Sequence, residues 1–204
     1  MPSVCEIIEN IPLSTQTHNP PWSYNDTQKS GGNAFFGASA RYNTMNNKDI
    51  CELPIQKLAD KDCVLFLWAT SPLLPEAFKV IDGWGFKYKT VVFCWNKQTK
   101  NKKWVSNMGR WTMGNIEICL LATKGHPKRI VKNIKQLVIA ERKKHSQKPT
   151  KVRDRIVKLM GDLPRIELFA RKENILFDNF EGWDYIGNDI NGKDIRETLK
   201  DMIK

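Results

Sequence analysis

Short apolar runs recur along the chain and are separated by polar stretches that contain glycine and proline. Four of these runs, at 63–69, 90–95, 116–122 and 166–170, are rich in β-branched and aromatic side chains. Continuous apolar runs of this length are typical of strands that are covered on both faces of a sheet. The pattern therefore predicts four buried strands.

Two stretches between the runs carry helix start and stop signals. The first is predicted to begin at Ser71 as N-cap, with a proline at the first helical position, and to end at Gly83 or Gly85. The second is predicted over about 149–160, with Gly161 as its stop. Strands that alternate with helices indicate an α/β fold with a largely parallel sheet, and we expect one domain over residues 1–204.

Three polar stretches do not fit this alternation. They cover about residues 23–47, 96–115 and 124–147, and they are predicted to be mobile loops. The first is rich in Gly, Ser and Asn, and the other two are basic. Long loops in a compact domain are usually functional or disordered, so we expect these segments to grip a substrate.

The positive charge of the chain is concentrated in one block. Residues 97–155 hold 12 Lys, 5 Arg and 3 acidic residues, which gives +14, whereas the whole chain carries +11 and the remainder therefore −3. Such asymmetry is typical of proteins that bind a polyanion, and it favours nucleic acid as the partner. A solvated basic surface without a partner is the alternative.

Other features exclude several classes of protein. No apolar run is long enough to span a membrane, and the first residues, with Glu6 among them, do not resemble a secretory signal. The five cysteines are scattered and form no CxxC pair, so we expect neither a metal site nor a disulfide framework. An intracellular, reducing location is the expectation, in the cytoplasm or nucleoid, or in the nucleus of a eukaryote.

Asn19, Pro20, Pro21 and Trp22 form a stiff segment near the start of the chain. Prolines fix the dihedral angle φ and carry no N–H donor, so the carbonyls of Asn19 and Pro20 are left as acceptors. A planar base with an amino group would fit this corner, its ring stacked on Trp22 or Tyr24 and its amine donating to Asn19 and Pro20. Such contacts would aim the amine lone pair at an electrophile. A purely structural turn is an equal alternative.

The segment 19–22 resembles the Asp/Asn-Pro-Pro-aromatic motif of enzymes that use S-adenosyl-methionine to methylate exocyclic amines of adenine or cytosine. Further segments resemble, in the same order, those of the MT-A70 family, which makes 6-methyladenine in RNA and DNA. They are Tyr-Asn-Thr-Met at 42–45, Leu-Phe-Leu-Trp-Ala-Thr at 65–70, Gly-Arg-Trp-Thr-Met-Gly-Asn at 109–115, Ser-Gln-Lys-Pro at 146–149, Arg-Ile-Glu-Leu-Phe-Ala-Arg at 165–171 and Trp-Asp-Tyr-Ile-Gly-Asn at 183–188. The resemblance covers roughly residues 19–189.

The resemblance implies a fold and a set of site residues. The fold is the Rossmann-like class I methyltransferase fold in a circularly permuted order, with a mixed, mostly parallel sheet and helices on both faces. The residues implied to contact S-adenosyl-methionine are Lys148, Phe169, Arg171, Glu173, Asn174, Asn188 and Asp189. Asn19, Pro20, Pro21 and Trp22 are implied to form the catalytic corner, and Tyr24, Tyr42, Arg110 and Trp111 are the candidates for substrate binding.

Three positions depart from the family pattern. Asn19 replaces the more usual Asp, Glu173 stands where some relatives have His, and the stretch 13–18 before the motif is more polar than the expected apolar strand. The expected activity is methylation of the 6-amino group of adenine in DNA. The alternatives are an RNA adenosine methyltransferase and an inactive nucleic-acid-binding partner subunit. A homodimer, or a heterodimer with a related subunit, fits either view.

Overall fold

The computed structural model describes residues 13–23, 44–109, 111–143, 147–171 and 181–203, without the side chains of residues 189 and 191. Within these residues the strands are β1 (Leu13–His18), β2 (Ala59–Ala69), β3 (Lys87–Gln98), β4 (Ile116–Lys124), β5 (Leu137–Glu141), β6 (Arg165–Leu168) and β7 (Asp184–Ile186). They form one sheet in the order β5-β3-β4-β2-β1-β6-β7. β4 runs antiparallel to both neighbours and the other pairs are parallel, so the sheet is mixed and mostly parallel, as predicted.

The two predicted helices are present among the described residues, together with four that were not predicted. They are α1 (Asn47–Cys51), α2 (Ile55–Leu58), a 3-10 turn (Ser71–Leu73), α3 (Leu74–Gly83), α4 (Thr150–Met160), α5 (Asn188–Asn191) and α6 (Ile195–Met202). Gly161 ends α4 with a φ of 88°, a conformation that favours glycine. Ser71 was predicted to cap its helix, which is wrong in detail: it lies inside the 3-10 turn that precedes α3.

Helices cover both faces of the sheet. Along β2, Cys63, Leu65 and Leu67 pack in the core that contains α1, α3 and α6. Val64 and Phe66 point to the opposite face, where α4 closes a second core. This alternation requires apolar residues at every position of the strand, which explains the continuous run that predicted it. Among the described residues, no helix is long and apolar enough to cross a membrane.

The predicted loop at 124–147 is wrong in its central part, because residues 137–141 form β5 parallel to β3. Val138 is buried, whereas Leu137 and Ile139 are exposed. An edge strand that buries a single face beside basic neighbours gives a weak pattern in the sequence. The predicted loop at 96–115 is likewise shorter than expected, because β3 continues to Gln98.

The polar stretch 13–18 is a strand at the centre of the sheet. β1 pairs with β2 on one side and β6 on the other, and its residues 15–18 are buried. Part of its polarity is satisfied locally: Thr17 Oγ1 donates to the carbonyl of Phe66 at 3.5 Å, and His18 Nε2 lies 3.1 Å from Gln16 Oε1. The departure from the family pattern therefore leaves the strand intact.

The connections of β1 and β6 create a crevice. The chain proceeds from β1 to β2 and from β6 to β7, which lie in opposite directions along the sheet. Neighbouring parallel strands whose connections diverge open a crevice at their carboxyl ends, where α/β proteins bind ligands. His18 is paired with Leu168 in the register, so Asn19 and Phe169 leave the sheet at the same level.

Candidate active site

A cleft with an empty volume of about 480 Å³, including its open mouth, lies at this crevice. Its walls come from the ends of β1, β2 and β6 and from the start of α4. The lining residues are Thr17, His18, Asn19, Trp68, Lys148, Pro149, Val152, Arg153, Ile156, Glu167, Phe169 and Arg171. The cleft therefore brings together residues that are up to 154 positions apart in the sequence.

The Asn-Pro-Pro-Trp segment forms a tightly fixed corner beside the cleft. The Trp22 N–H donates to the Pro20 carbonyl at 2.8 Å, and the Met45 N–H donates to the Pro21 carbonyl at 2.9 Å. The indole Nε1–H of Trp22 donates to the Trp68 carbonyl at 3.2 Å. These bonds anchor the corner to the sheet and leave Asn19 half-buried on the cleft wall.

A buried ion cluster stands behind one wall. Lys148 Nζ lies 2.9 Å from Glu117 Oε2, and Lys97 binds the other oxygen of the same carboxylate. Burial acts to raise the pKa of Glu117, but Lys148 and Lys97 outweigh it and lower the pKa to about 2. Lys148 Nζ also lies 5.4 Å from the centroid of the Trp68 ring. Two lysines and one carboxylate leave this wall with a positive charge.

A second ion pair crosses the cleft from α4 to β6. Arg153 Nε donates to Glu167 Oε2 at 2.8 Å, and Nη2 donates to Oε1 at 3.1 Å. This paired, fork-like geometry is the strongest form of an Arg–carboxylate contact and fixes both side chains. Arg153 and Glu117 were not predicted from the sequence, because each gains its role only from a partner distant in the chain.

The end of β6 is held in an unusual conformation. Phe169 has a φ of 62°, in the left-handed region that costs a non-glycine residue on the order of 1 kcal/mol or more. The neighbouring Ala170 N–H donates to the Ile186 carbonyl at 2.9 Å. A Cβ atom at Gly187 would lie 1.9 Å from the Ala170 oxygen, so only glycine fits there. Backbone strain of this kind gathers at ligand sites.

The buried His18 packs against the same segment. Its ring meets Trp84 edge-on at 5.1 Å and Phe169 at 6.5 Å between centroids. Burial lowers the pKa of His18 to about 3, so the imidazole is neutral at physiological pH.

Comparison with known proteins identifies the family of the chain. The MT-A70 family matches residues 17–189, more than four fifths of the chain. The chain belongs to the MT-A70 family. The resemblance drawn from the sequence motifs is thereby confirmed.

Individual relatives are similar to different extents. The chain is 36% identical over 187 residues to the type II methyltransferase M.MunI of Mycoplasma, which covers 84% of the chain and 75% of that protein. It is 28% identical over 166 residues to the N(6)-adenosine-methyltransferase MT-A70-like of Arabidopsis thaliana, covering 80% of the chain and 23% of that protein. For human METTL3, an N(6)-adenosine-methyltransferase catalytic subunit, the values are 26% over 153 residues, 74% of the chain and 26% of that protein. This MT-A70 chain is thus an adenine N6-methyltransferase by family.

Four of the residues predicted from the sequence line the cleft. They are Asn19, Lys148, Phe169 and Arg171. Asn188 begins α5 near the carboxyl end of β7, and its Oδ1 accepts a hydrogen bond from the Ile195 N–H at 3.0 Å.

Two predictions about the catalytic corner need correction. Trp22 was expected to stack on a base, but its indole is buried in the core and bonded to Trp68, so in this conformation it supports the corner instead. The Pro20 carbonyl was expected to have no internal donor, but it accepts the Trp22 N–H. A carbonyl oxygen has a second lone pair, so Pro20 is still able to accept from a substrate.

The other predicted residues are not part of the described cleft lining. Tyr24, Tyr42, Arg110, Glu173 and Asn174 fall outside the described residues, as does the side chain of Asp189. Trp111 is exposed on the connection between β3 and β4 and is not among the residues that line the cleft. Within the described ranges, no group of His, Cys, Asp or Glu side chains is arranged to hold a metal ion.

Proposed function

We propose that this MT-A70 chain methylates the 6-amino group of adenine in DNA, with S-adenosyl-methionine as the methyl donor. The observation that carries the proposal is the cleft at the β1–β6 crevice, where the Asn19 corner faces the charged and aromatic residues at the end of β6. The motif 19–22 precedes β6 in the chain, and this order supports the circularly permuted form of the methyltransferase fold.

The side chains on the cofactor side of the cleft fit the chemical groups of S-adenosyl-methionine. The cofactor supplies a methyl group on a sulfonium, together with an amino-acid carboxylate, a ribose and an adenine. Lys148 and Arg171 would bind the carboxylate, since both cations line the cleft. Phe169 would contact the adenine ring. Glu173, Asn174, Asn188 and Asp189 follow in the chain and are proposed to complete the ribose and adenine contacts.

The substrate side of the cleft holds the amine. The side-chain oxygen of Asn19 and the carbonyl of Pro20 would accept its two hydrogens and localise its lone pair. The fixed dipoles of the corner then favour the ammonium that forms, without a prior deprotonation. Asn19 is neutral where an aspartate would be charged, so the stabilisation of that ammonium is weaker, and its extra proton passes to water. Pro21 and Trp22 keep the corner rigid through their bonds to Met45 and Trp68.

Duplex DNA would have to release the adenine into this cleft. A base inside a duplex cannot reach a recessed corner, so the enzyme must extrude it or take it from a single strand. Tyr24 and Tyr42 are the proposed stacking partners, because Trp22 is buried. Most of the lysines and arginines of the 97–155 block are exposed and would bind phosphates, so binding should weaken steeply with salt.

DNA is favoured over RNA by the pattern of similarity. The chain resembles the bacterial and phage members of the family, which mostly modify DNA, and it spans three quarters of the Mycoplasma type II methyltransferase. The plant and human relatives named as N(6)-adenosine-methyltransferases support RNA as the second candidate, and the chain spans about a quarter of each. The polarity of residues 13–18 no longer supports the inactive-partner alternative, because this stretch forms a complete strand.

The proposal is tested by incubating the chain with isotopically labelled S-adenosyl-methionine and an equal mixture of DNA and RNA, followed by nucleoside mass spectrometry. We expect labelled 6-methyldeoxyadenosine in the DNA. Asn19→Ala should abolish it while cofactor binding, measured by calorimetry, is unchanged. Gln56→Ala, at an exposed amide in α2 beside the amino end of β2, is the matched control and should behave as wild type.

Each other outcome has a defined meaning. Label confined to adenosine in RNA would support the second candidate. The absence of label from both nucleic acids would support the inactive partner, whether or not the cofactor binds. Full turnover by Asn19→Ala would contradict the role given to the corner.

A further inference from the structure

The connection between β3 and β4 displays large apolar side chains to solvent. We call residues 99–115 the hairpin tip. The exposed fractions of its apolar residues are 55% for Trp104, 88% for Met108, 98% for Trp111 and 61% for Met113. Exposed apolar groups clustered within so few residues mark an interaction site more often than chance.

Backbone contacts fix the shape of the hairpin tip, which carries these side chains toward solvent. Asn107 and Gly114 exchange two backbone hydrogen bonds of 2.8 Å each, which close the loop that carries Trp111. A Cβ at Gly109 would lie 2.3 Å from the Thr112 carbonyl oxygen, so this loop is folded tightly on itself. Val105 is buried, and its N–H donates to the Lys97 carbonyl at 3.0 Å, which anchors the tip to β3.

The hairpin tip lies at the same edge of the sheet as the cleft. β4 runs antiparallel to β2, and Ile118 is paired with Ala69, the last residue of β2. The segment that precedes β4 is therefore at the carboxyl end of β2 and of its parallel neighbour β1. Glu117, next to the tip, binds Lys148 of the cleft wall.

The charge of the hairpin tip identifies the occupant. It contains Lys100, Lys102, Lys103 and Arg110 and has no acidic residue. A second copy of the chain docked on this surface through the same residues would bring like charges together. A polyanion would be attracted, and exposed aromatics among cations are the combination that nucleic acids recognise.

We propose that Trp111 inserts into the base stack of duplex DNA at the step from which the target adenine is extruded. This inference rests on the proposed function and adds a mechanism for opening the duplex. Extrusion leaves a gap whose unstacking costs a few kcal/mol, and an apolar wedge that fills it offsets this cost. The indole occupies the gap, while the neighbouring lysines bind the flanking phosphates.

The test compares methylation rates on three substrates of one sequence: a matched duplex, a duplex with an abasic site opposite the target, and the single strand. Trp111→Ala should lower kcat/KM on the matched duplex by roughly 10- to 100-fold, the range expected for a stacked aromatic. The single strand should be methylated at nearly the wild-type rate, because it has no duplex stack to open, and the abasic duplex should lose less than the matched duplex, because its unpaired adenine leaves the stack at a lower cost. Trp111→Phe should recover most of the lost rate, and Ile130→Ala, at another exposed apolar residue, should have no effect.

Three results would overturn the inference. An equal loss on all three substrates would make Trp111 a general nucleic-acid contact, and no loss on the matched duplex would remove its role. A dimer of the wild-type chain that dissociates in Trp111→Ala, seen by mass photometry, would show that the hairpin tip binds a second copy. If the wild type methylates the single strand, the proposed function stands whatever the Trp111 result; if it methylates no substrate, both proposals are wrong.

Discussion

Replacing Glu117 with glutamine should destabilise the protein strongly. The carboxylate is 17% exposed and serves both Lys97 and Lys148, which are 13% and 12% exposed. Its pKa of about 2, against an ordinary value of 4.5, corresponds to roughly 3 kcal/mol of stabilisation of the charged form. Glutamine keeps the shape but leaves two ammonium groups in a poorly hydrated site, the type of change that costs about 3–5 kcal/mol.

Urea unfolding at pH 7 measures this loss, and its pH dependence identifies the cause. Because the folded pKa of Glu117 is depressed, its contribution is complete above pH 4.5 and disappears as the pH falls toward 2. Wild type and Glu117→Gln should therefore converge over that range. Adding Lys97→Met to Glu117→Gln should restore part of the stability, since it removes one unpaired cation. Glu52→Gln, at an exposed pair 3.8 Å from Lys48, should cost less than about 0.5 kcal/mol.

A loss below about 1 kcal/mol for Glu117→Gln, a difference that does not change with pH, or no recovery with Lys97→Met would refute the reasoning.

Two further predictions concern the β6 end of the cleft. Gly187→Ala should push the Ala170 carbonyl away and weaken cofactor binding, measured by calorimetry, at least tenfold, which corresponds to about 1.4 kcal/mol. Gly114→Ala is the control and should bind the cofactor normally, because its added Cβ meets only an ordinary contact. Equal affinities of the two variants would show that the close approach at Gly187 is not needed. His18 is buried as the neutral imidazole with its pKa lowered to about 3, so the unfolded chain takes up a proton below pH 6.5 that the folded chain does not, and stability should fall by about 1 kcal/mol per pH unit from 6.5 toward 4.5. His18→Gln should flatten urea-unfolding stability over that range, above the window in which Glu117 acts, and an unchanged slope would show that His18 is not its source.

The strands and helices that could be predicted from the sequence are those whose own residues show an apolar run or a helix stop signal. β2 and β4 are covered on both faces, so burial alone requires their apolar runs. α4 could be bounded because Gly161 marks its end. β5 could not be predicted, because it buries one residue firmly, and β7 could not, because it has only three residues.

The lining of the cleft was predictable where it depends on a contiguous motif. Asn19 and the segment 169–171 could be identified from their neighbours in the chain, and the sheet order brings them together. The partners of Lys148 and Glu167 could not, because the sequence does not show which of many charges faces a given residue after folding. The orientation of Trp22 was wrong for the same reason: the motif gives the residue type, whereas the Trp68 carbonyl decides where the indole points.

The polar side chains of β1 lower the stability of the fold and lie next to the cleft. Thr15 Oγ1, Gln16 Nε2 and His18 Nδ1 are buried without a hydrogen-bond partner, and each such atom costs on the order of 1–3 kcal/mol. An apolar strand would avoid this cost, yet β1 ends at Asn19 and supports the strained Phe169 through His18. Natural sequences depart from the rules of stability mainly where function requires it. Thr15→Val should therefore keep the fold and add stability, because it removes a buried hydroxyl that has no hydrogen-bond partner. Replacement of His18 should instead disturb the position of Phe169, because the two rings pack edge-on.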